Sequence, residues 1–207
     1  MGSPFADGQP ALPPLAPAAR PLMHIALFGG SFNPPHVAHQ MVALYVLETE
    51  PVDQVWFVPV WKHAFEKPLA PFENRLRMCE LAAQGFGQRV RVTEIERTIG
   101  TPSRTLHTVR RLKELHPEHT FSLIIGSDIV PELPQWHNIG ELQALVSFVV
   151  IGRRAAVGAA DHSPVTMPEV SSTEVRRLLR AGKSAAGLVP RSVLDYIYRH
   201  GLYREPA

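Results

Sequence analysis

LMHIALFGGSFNPPHVAH, residues 22–39, is the stretch that decides the fold. Its first half is an apolar run from Leu22 to Phe28, bounded by turn signals, which reads as a buried strand. Gly29 and Gly30 remove side chains where that strand ends, so the backbone can turn and a ligand can come close. Asn33, Pro34 and Pro35 interrupt regular structure and stiffen the entry to the next element. Val37, Met41, Leu44 and Tyr45 then recur at helical spacing and predict a helix with those four inward. His36 and His39 stand three apart at its start, on one face. A bare turn, a helix N-terminus with free N–H groups and two imidazoles suit an anion, phosphate above all.

The rest of the chain alternates in the same way. Apolar runs predict strands over 54–60, 120–125 and 145–151, and polar–apolar alternation predicts another over 89–95. Helices are expected over 72–83 (Leu76, Cys79 and Ala83 inward, Gly85 ending it) and over 105–116, with short turns over 130–145. Ser171 and Glu174 have capping-box spacing ahead of Val175, Leu178 and Leu179, and Gly182 stops that helix. A last helix begins at Pro190, buries Val193, Leu194, Ile197 and Tyr198, and ends at Gly201. Residues 61–70, with Lys62, His63 and Lys67, and residues 152–166 read as loops. Strands alternating with helices give an α/β class: an open parallel sheet covered on both faces.

Composition narrows the function. A length of 207 residues and 45% hydrophobic content suit one core, here assigned to residues 22–207. Residues 1–21 carry Pro4, Pro10, Pro13, Pro14, Pro17 and Pro21 and read as a disordered leader without signal-peptide pattern. The formal charge of +2 is spread without a basic run, which argues against nucleic acid as partner. A single cysteine, Cys79, excludes an internal disulfide and fits a reducing, cytoplasmic setting. No run is long and apolar enough for a membrane. Nothing here fixes oligomeric state, so a homo-oligomer stays open.

Ligands of open parallel sheets bind outside the carboxyl ends of the strands. Four places there carry chemistry: residues 29–39, Gly126 to Asp128, Gly152 with Arg153, and the helix start at 171–173. His36 and His39 could be exposed or zinc-bound. Zinc takes three or four protein ligands, and no cysteine pair or third spaced histidine accompanies these two, so no protein metal site is assigned. Their anion-ready turn favours ligand contact. Ser171 caps its helix in any case, while Ser172, Thr173 and Arg176 add hydroxyls and a guanidinium suited to phosphate oxygens. Asp128 is either a turn residue or an acceptor for ribose hydroxyls. Trp136 is either core or a half-exposed ring able to stack on a heterocycle. The Gly182-Lys183-Ser184 end of a P-loop fails because Arg177 stands at its first glycine position. A three-glycine dinucleotide fingerprint and a Gly-x-Ser-x-Gly elbow are absent.

GGSFNPPHVAH (29–39), GSDIVPELPQW (126–136) and SSTEVRRLL (171–179), in this order, resemble the nucleotidylyltransferase superfamily, and within it bacterial nicotinate mononucleotide adenylyltransferases. The resemblance spans residues 22–203 and implies the Rossmann-like form of the sheet. It implies transfer of AMP from ATP to nicotinate mononucleotide, giving deamido-NAD and pyrophosphate. Mg²⁺ would be carried mainly by the ATP phosphates. It makes His36 and His39 the paired phosphate-binding histidines, with Arg176 beside them in catalysis. Gly29, Gly30, Ser31, Phe32, Gly126, Asp128, Ser172 and Thr173 would bind ATP. Asn33, Lys62, Thr105, Trp136 and Arg153 would face the mononucleotide, Trp136 stacking on its pyridine, and Ser103 and Thr108 lie in the matching nicotinate segment. Ala38 replaces a usual glycine, Arg104 a usual tyrosine and His107 a usual aspartate; the last two changes bear on acid or amide preference. Nicotinamide mononucleotide, a pantetheine or polyol phosphate acceptor, and a non-catalytic nucleotide-binding regulator are the alternatives. Relatives with those other acceptors usually have threonine where this chain has His36.

Overall fold

The computed structural model describes residues 22–62, 69–100, 104–152 and 167–204. The proline-rich leader expected over 1–21 lies outside them, as do His63, Lys67, Ser103 and Arg153. Strands β1 (His24–Gly30), β2 (Gln54–Pro59), β3 (Val90–Val92), β4 (Thr120–Gly126) and β5 (Ser147–Ile151) form one sheet. All are parallel, in the order β3-β2-β1-β4-β5. The connecting helices are α1 (Val37–Thr49), α2 (Phe72–Ala83), α3 (Ile95–Ile99), α4 (Thr105–Leu115), α5 (Ile139–Leu145), α6 (Ser172–Arg180) and α7 (Arg191–Arg199). Among the described residues no helix is long and apolar enough to cross a membrane.

Strand alternation divides the core into two layers, because successive side chains point to opposite faces. Ala26, Val55, Phe57 and Ile124 pack with Val42 and Val46 of α1, Met78 of α2, Val175 of α6 and Ile197 of α7. Ile25, Leu27, Trp56, Val58, Leu123 and Ile125 pack with Ile95 of α3, Leu106 and Val109 of α4 and Leu142 of α5. Each such Val, Leu, Ile, Phe or Met side chain contributes roughly 1.5–3 kcal/mol by leaving water. The chain runs from β1 outward to β2 and β3, then returns to place β4 on the other side of β1. The switch point therefore lies between β1 and β4, where a crevice opens at the strands' carboxyl ends.

Several expectations need correcting. β1 does not stop before the glycines; it runs through Gly30, which pairs with Pro59. The turn falls at 31–36 instead. Helix α1 buries Ala38, His39, Val42, Ala43, Val46 and Leu47 and leaves Met41 and Leu44 exposed. That helix is apolar nearly all round, so spacing alone could not set its phase. Strand β3 is only three residues long, and Ile95 opens a helix rather than ending a strand. The Thr93 hydroxyl accepts from Ile95 N at 3.2 Å and turns the chain there. Helix α2 passes into a 3₁₀ turn at Gln84–Arg89 rather than ending at Gly85, and it buries Arg75 while Leu76 is half-exposed. Tyr198 is exposed, unlike Val193, Leu194 and Ile197 beside it.

Candidate active site

The loop after β1 carries the first part of the site. Phe32 turns it with a left-handed φ of 44°, and its ring, 1% exposed, sits 5.2 Å from Phe57 in a stack and 4.8 Å from His39. A Cβ on Gly30 would meet the Phe32 ring at 3.3 Å, so this close approach favours glycine. The 33–34 peptide is cis. His36 then serves as N-cap of α1, and His39 occupies the third helical position. The His36 amide donates to His39 Nδ1 at 3.0 Å. A nitrogen that accepts cannot carry the proton, so the His39 proton resides on Nε2, leaving that nitrogen a donor. The two rings lie 3.8 Å apart, and both line the pocket although the residues are 2% and 9% exposed.

Helix α6 supplies the second part. Ser171 caps it, its hydroxyl accepting from Glu174 N at 3.2 Å. The Ser172 hydroxyl donates to Pro34 O at 2.8 Å, which joins the start of α6 to the turn before α1. Two helix N-termini thereby open on one space, and their positive dipole ends favour negative charge there, although the Val37 amide of α1 is taken by Leu188 O at 2.9 Å.

The pocket encloses about 580 Å³, within the range of small-molecule sites. Gly29, Gly30, Ser31, His36, His39, Gly126, Asp128 and Ser172 line it, with Thr105 and Trp136. The sequence-derived residues thus converge on the crevice from β1, β4, α4 and α6. Glu96 and Thr108 also line it. Glu96 is 7% exposed; it accepts from the Thr108 hydroxyl at 3.0 Å and from Trp61 N at 3.2 Å. Neither its burial nor its place in the site is visible in the charged pattern around it.

Other expected residues stand elsewhere. Phe32 does not line the pocket; its left-handed backbone and aromatic contacts put the ring in the core beneath His39. Lys62 is exposed and outside the lining. Asn33 is 2% exposed and faces protein: its Oδ1 accepts from Tyr203 at 2.8 Å and from Ala70 N at 3.1 Å. Arg176 and Thr173 flank the site without lining it; Arg176 donates to Asn33 O at 2.7 Å and to the Thr173 hydroxyl at 3.2 Å. Burial lowers the pKa of that guanidinium, and the nearby Tyr203 partly offsets the shift.

Arg75, behind the site, is another residue that the sequence pattern does not single out. Arg75, 1% exposed, donates to Ser31 O at 2.9 Å, to Ala70 O at 3.0 Å and to Trp61 O at a longer 3.4 Å. Burial pushes its pKa below the usual value for arginine. Its planar fork fixes three backbone segments behind the site. Cys79, also buried, has a thiol pKa raised well above normal by burial, which leaves it inert. Among the described residues the one group with metal-ligand chemistry is His116, Glu118 and His119, at the amino end of β4 and away from the crevice.

A parallel sheet with two helix starts opening on its switch-point crevice defines a nucleotide-binding α/β protein. The cytidylyltransferase-like family matches residues 27–178, and the chain belongs to that family. A probable nicotinate-nucleotide adenylyltransferase of Anaeromyxobacter sp. (strain K) is 44% identical over 187 residues, 87% of this chain and 96% of that protein. A relative of the same name from Myxococcus xanthus is 41% identical, covering 89% and 96%. Plasmodium falciparum nicotinic acid mononucleotide adenylyltransferase complexed with NaAD has the same fold, with a TM-score of 0.73 at 22% identity over 87% of this chain and 97% of that one.

Proposed function

We propose that this chain is a nicotinate-nucleotide adenylyltransferase, transferring AMP from ATP to nicotinate mononucleotide with release of pyrophosphate. The observation that carries this reading is the pairing of two helix N-termini with His36 and His39 around one pocket at the switch point. Relatives of that name at 41–44% identity over nearly their whole length support it.

The acceptor phosphate is its own nucleophile. A phosphate monoester has a second pKa near 6, so no side-chain base is required at neutral pH. Its oxygen bonds to the α-phosphorus of ATP as the bond from that phosphorus to the bridging oxygen of the departing pyrophosphate breaks. The difficulty is to hold two polyanions together and to stabilise charge on the leaving group. We assign that task to His39 Nε2–H, His36 and the positive ends of α1 and α6, the Ser172 hydroxyl instead donating to Pro34 O. Arg176 acts from behind, through Asn33 and the start of α6. We assign Asp128 to the ribose and Trp136 and Thr105 to the acceptor's base, all three lining the pocket.

The donor set fits the phosphates rather than a resident metal. The described carboxylates lining the pocket are Glu96 and Asp128, and Glu96 is already engaged by Thr108 and Trp61. Mg²⁺, held through phosphate oxygens, would supply neutralisation of the triphosphate.

A second reading has nicotinamide mononucleotide accepted as well. The Glu96 carboxylate in the lining would repel a nicotinate carboxylate more than a neutral amide. One assay tests both: ATP and Mg²⁺ offered with each mononucleotide separately, with pyrophosphate release measured. Product with nicotinate mononucleotide is expected, and none with either acceptor would overturn the assignment.

A further inference from the structure

The end of the described chain reaches the catalytic loop. Tyr203 comes after α7 and adopts a left-handed φ of 63°, a conformation that a non-glycine residue keeps only where its surroundings over-determine it. Its hydroxyl donates to Asn33 Oδ1 at 2.8 Å across 170 residues of sequence. Ala70 N donates to the same oxygen at 3.1 Å, so both lone pairs of the amide oxygen are taken. The Asn33 carbonyl accepts from Arg176, and that of Pro34 from Ser172. Asn33 is therefore pinned from α6, from the segment before α2 and from the chain's end, three residues before His36. Phe32, the neighbour on its other side, is also left-handed.

We infer that Tyr203 is a positioning residue: by anchoring Asn33 it fixes the turn that sets His36 and His39 before substrate arrives. The inference rests on the reading of that loop as the triphosphate site. Burial pushes the Tyr203 hydroxyl well above its ordinary pKa, so it stays a donor throughout the working range of pH. Its ring packs with the layer containing α1, α2, α6 and α7. Tyr203→Phe keeps that packing and removes only the donor.

The test is Tyr203→Phe in the full chain, assayed with ATP, Mg²⁺ and nicotinate mononucleotide beside the parent. We expect kcat to fall about tenfold with KM for the mononucleotide within about twofold, as misplacement of positioned groups slows the chemical step. Amides of Ser31, Phe32, Asn33 and His36 should exchange hydrogen faster. Adding Tyr203→Phe to Asn33→Ala should cost nothing further, because the two act through one contact. An unchanged kcat with unchanged exchange, or additive losses in the double variant, would overturn the inference. Should Tyr203→Phe fail to fold, Asn33→Asp, which keeps the acceptor, should exceed Asn33→Leu in turnover, and equal turnover of the two would overturn it. A parent without turnover breaks the functional reading instead, and the exchange measurement then still decides the tether.

Discussion

The two helices that open on the pocket start in opposite ways. Helix α6 is self-sufficient: Ser171 caps it through Glu174 N, three residues on, and the acidic Glu174 and basic Arg177 and Arg180 complement its dipole. Helix α1 has no acid in its first turn and is capped by an imidazole, His39, reaching back to the His36 amide. Its preceding turn is held by residues far along the chain, with separations of 138, 143 and 170 for Ser172, Arg176 and Tyr203. The start of α6 is written locally, in one Ser-x-x-Glu pattern. Both starts border the pocket, but only that of α1 depends on contacts from far along the chain.

Each end of this comparison can be broken. The largest effect is expected at α1: His39→Ala should lower kcat by about 10²–10³-fold, the scale of losing one preorganised donor. Near-parental turnover in a variant with parental circular dichroism would end its role. Next comes the support. Arg75→Met should cost about 2–4 kcal/mol, because Ser31 O and Ala70 O lose a charged donor, and thermal denaturation would register it as a fall of roughly 5–15 °C. Trp136→Ala should raise KM for the mononucleotide about tenfold with little change for ATP; unchanged KM for both would exclude stacking.

At α6, Ser171→Ala should cost about 1 kcal/mol, a Tm shift of roughly 2–4 °C, and change turnover far less than His39→Ala. The smallest effect concerns pH. A hydrogen bond from Arg177 holds the Glu174 carboxyl below its ordinary value. Its contribution is present above the pKa of an unfolded glutamate and disappears as pH falls through the lower folded value. The Tm difference between parent and Glu174→Gln should therefore shrink on acidification; a constant difference would deny the pair any part in stability.

The contrast also explains what was legible. The bounds of α2 and the capping of α6 could be read because periodicity and a local Ser-x-x-Glu pattern specify them. The crevice could be read because His36, Gly126 and Ser172 sit at strand ends or helix starts that a parallel sheet gathers together. The buried face of α1 could not, since apolar residues surround it. Arg75 and Glu96 could not either: an isolated charge in a sequence reads as surface until its partners are known, and theirs are backbone groups and a threonine on other elements. The sequence alone puts Asn33 with substrate for the same reason, its partner Tyr203 being 170 residues away.

That separation also has a bearing on synthesis. Asn33 leaves the ribosome 170 residues ahead of Tyr203, a lag on the order of ten to thirty seconds at ordinary elongation rates. Over that interval β1 and α1 can form and pair with β2, yet the loop between them lacks its final anchor. The nascent chain can thus acquire most of its sheet before the turn ahead of α1 is set.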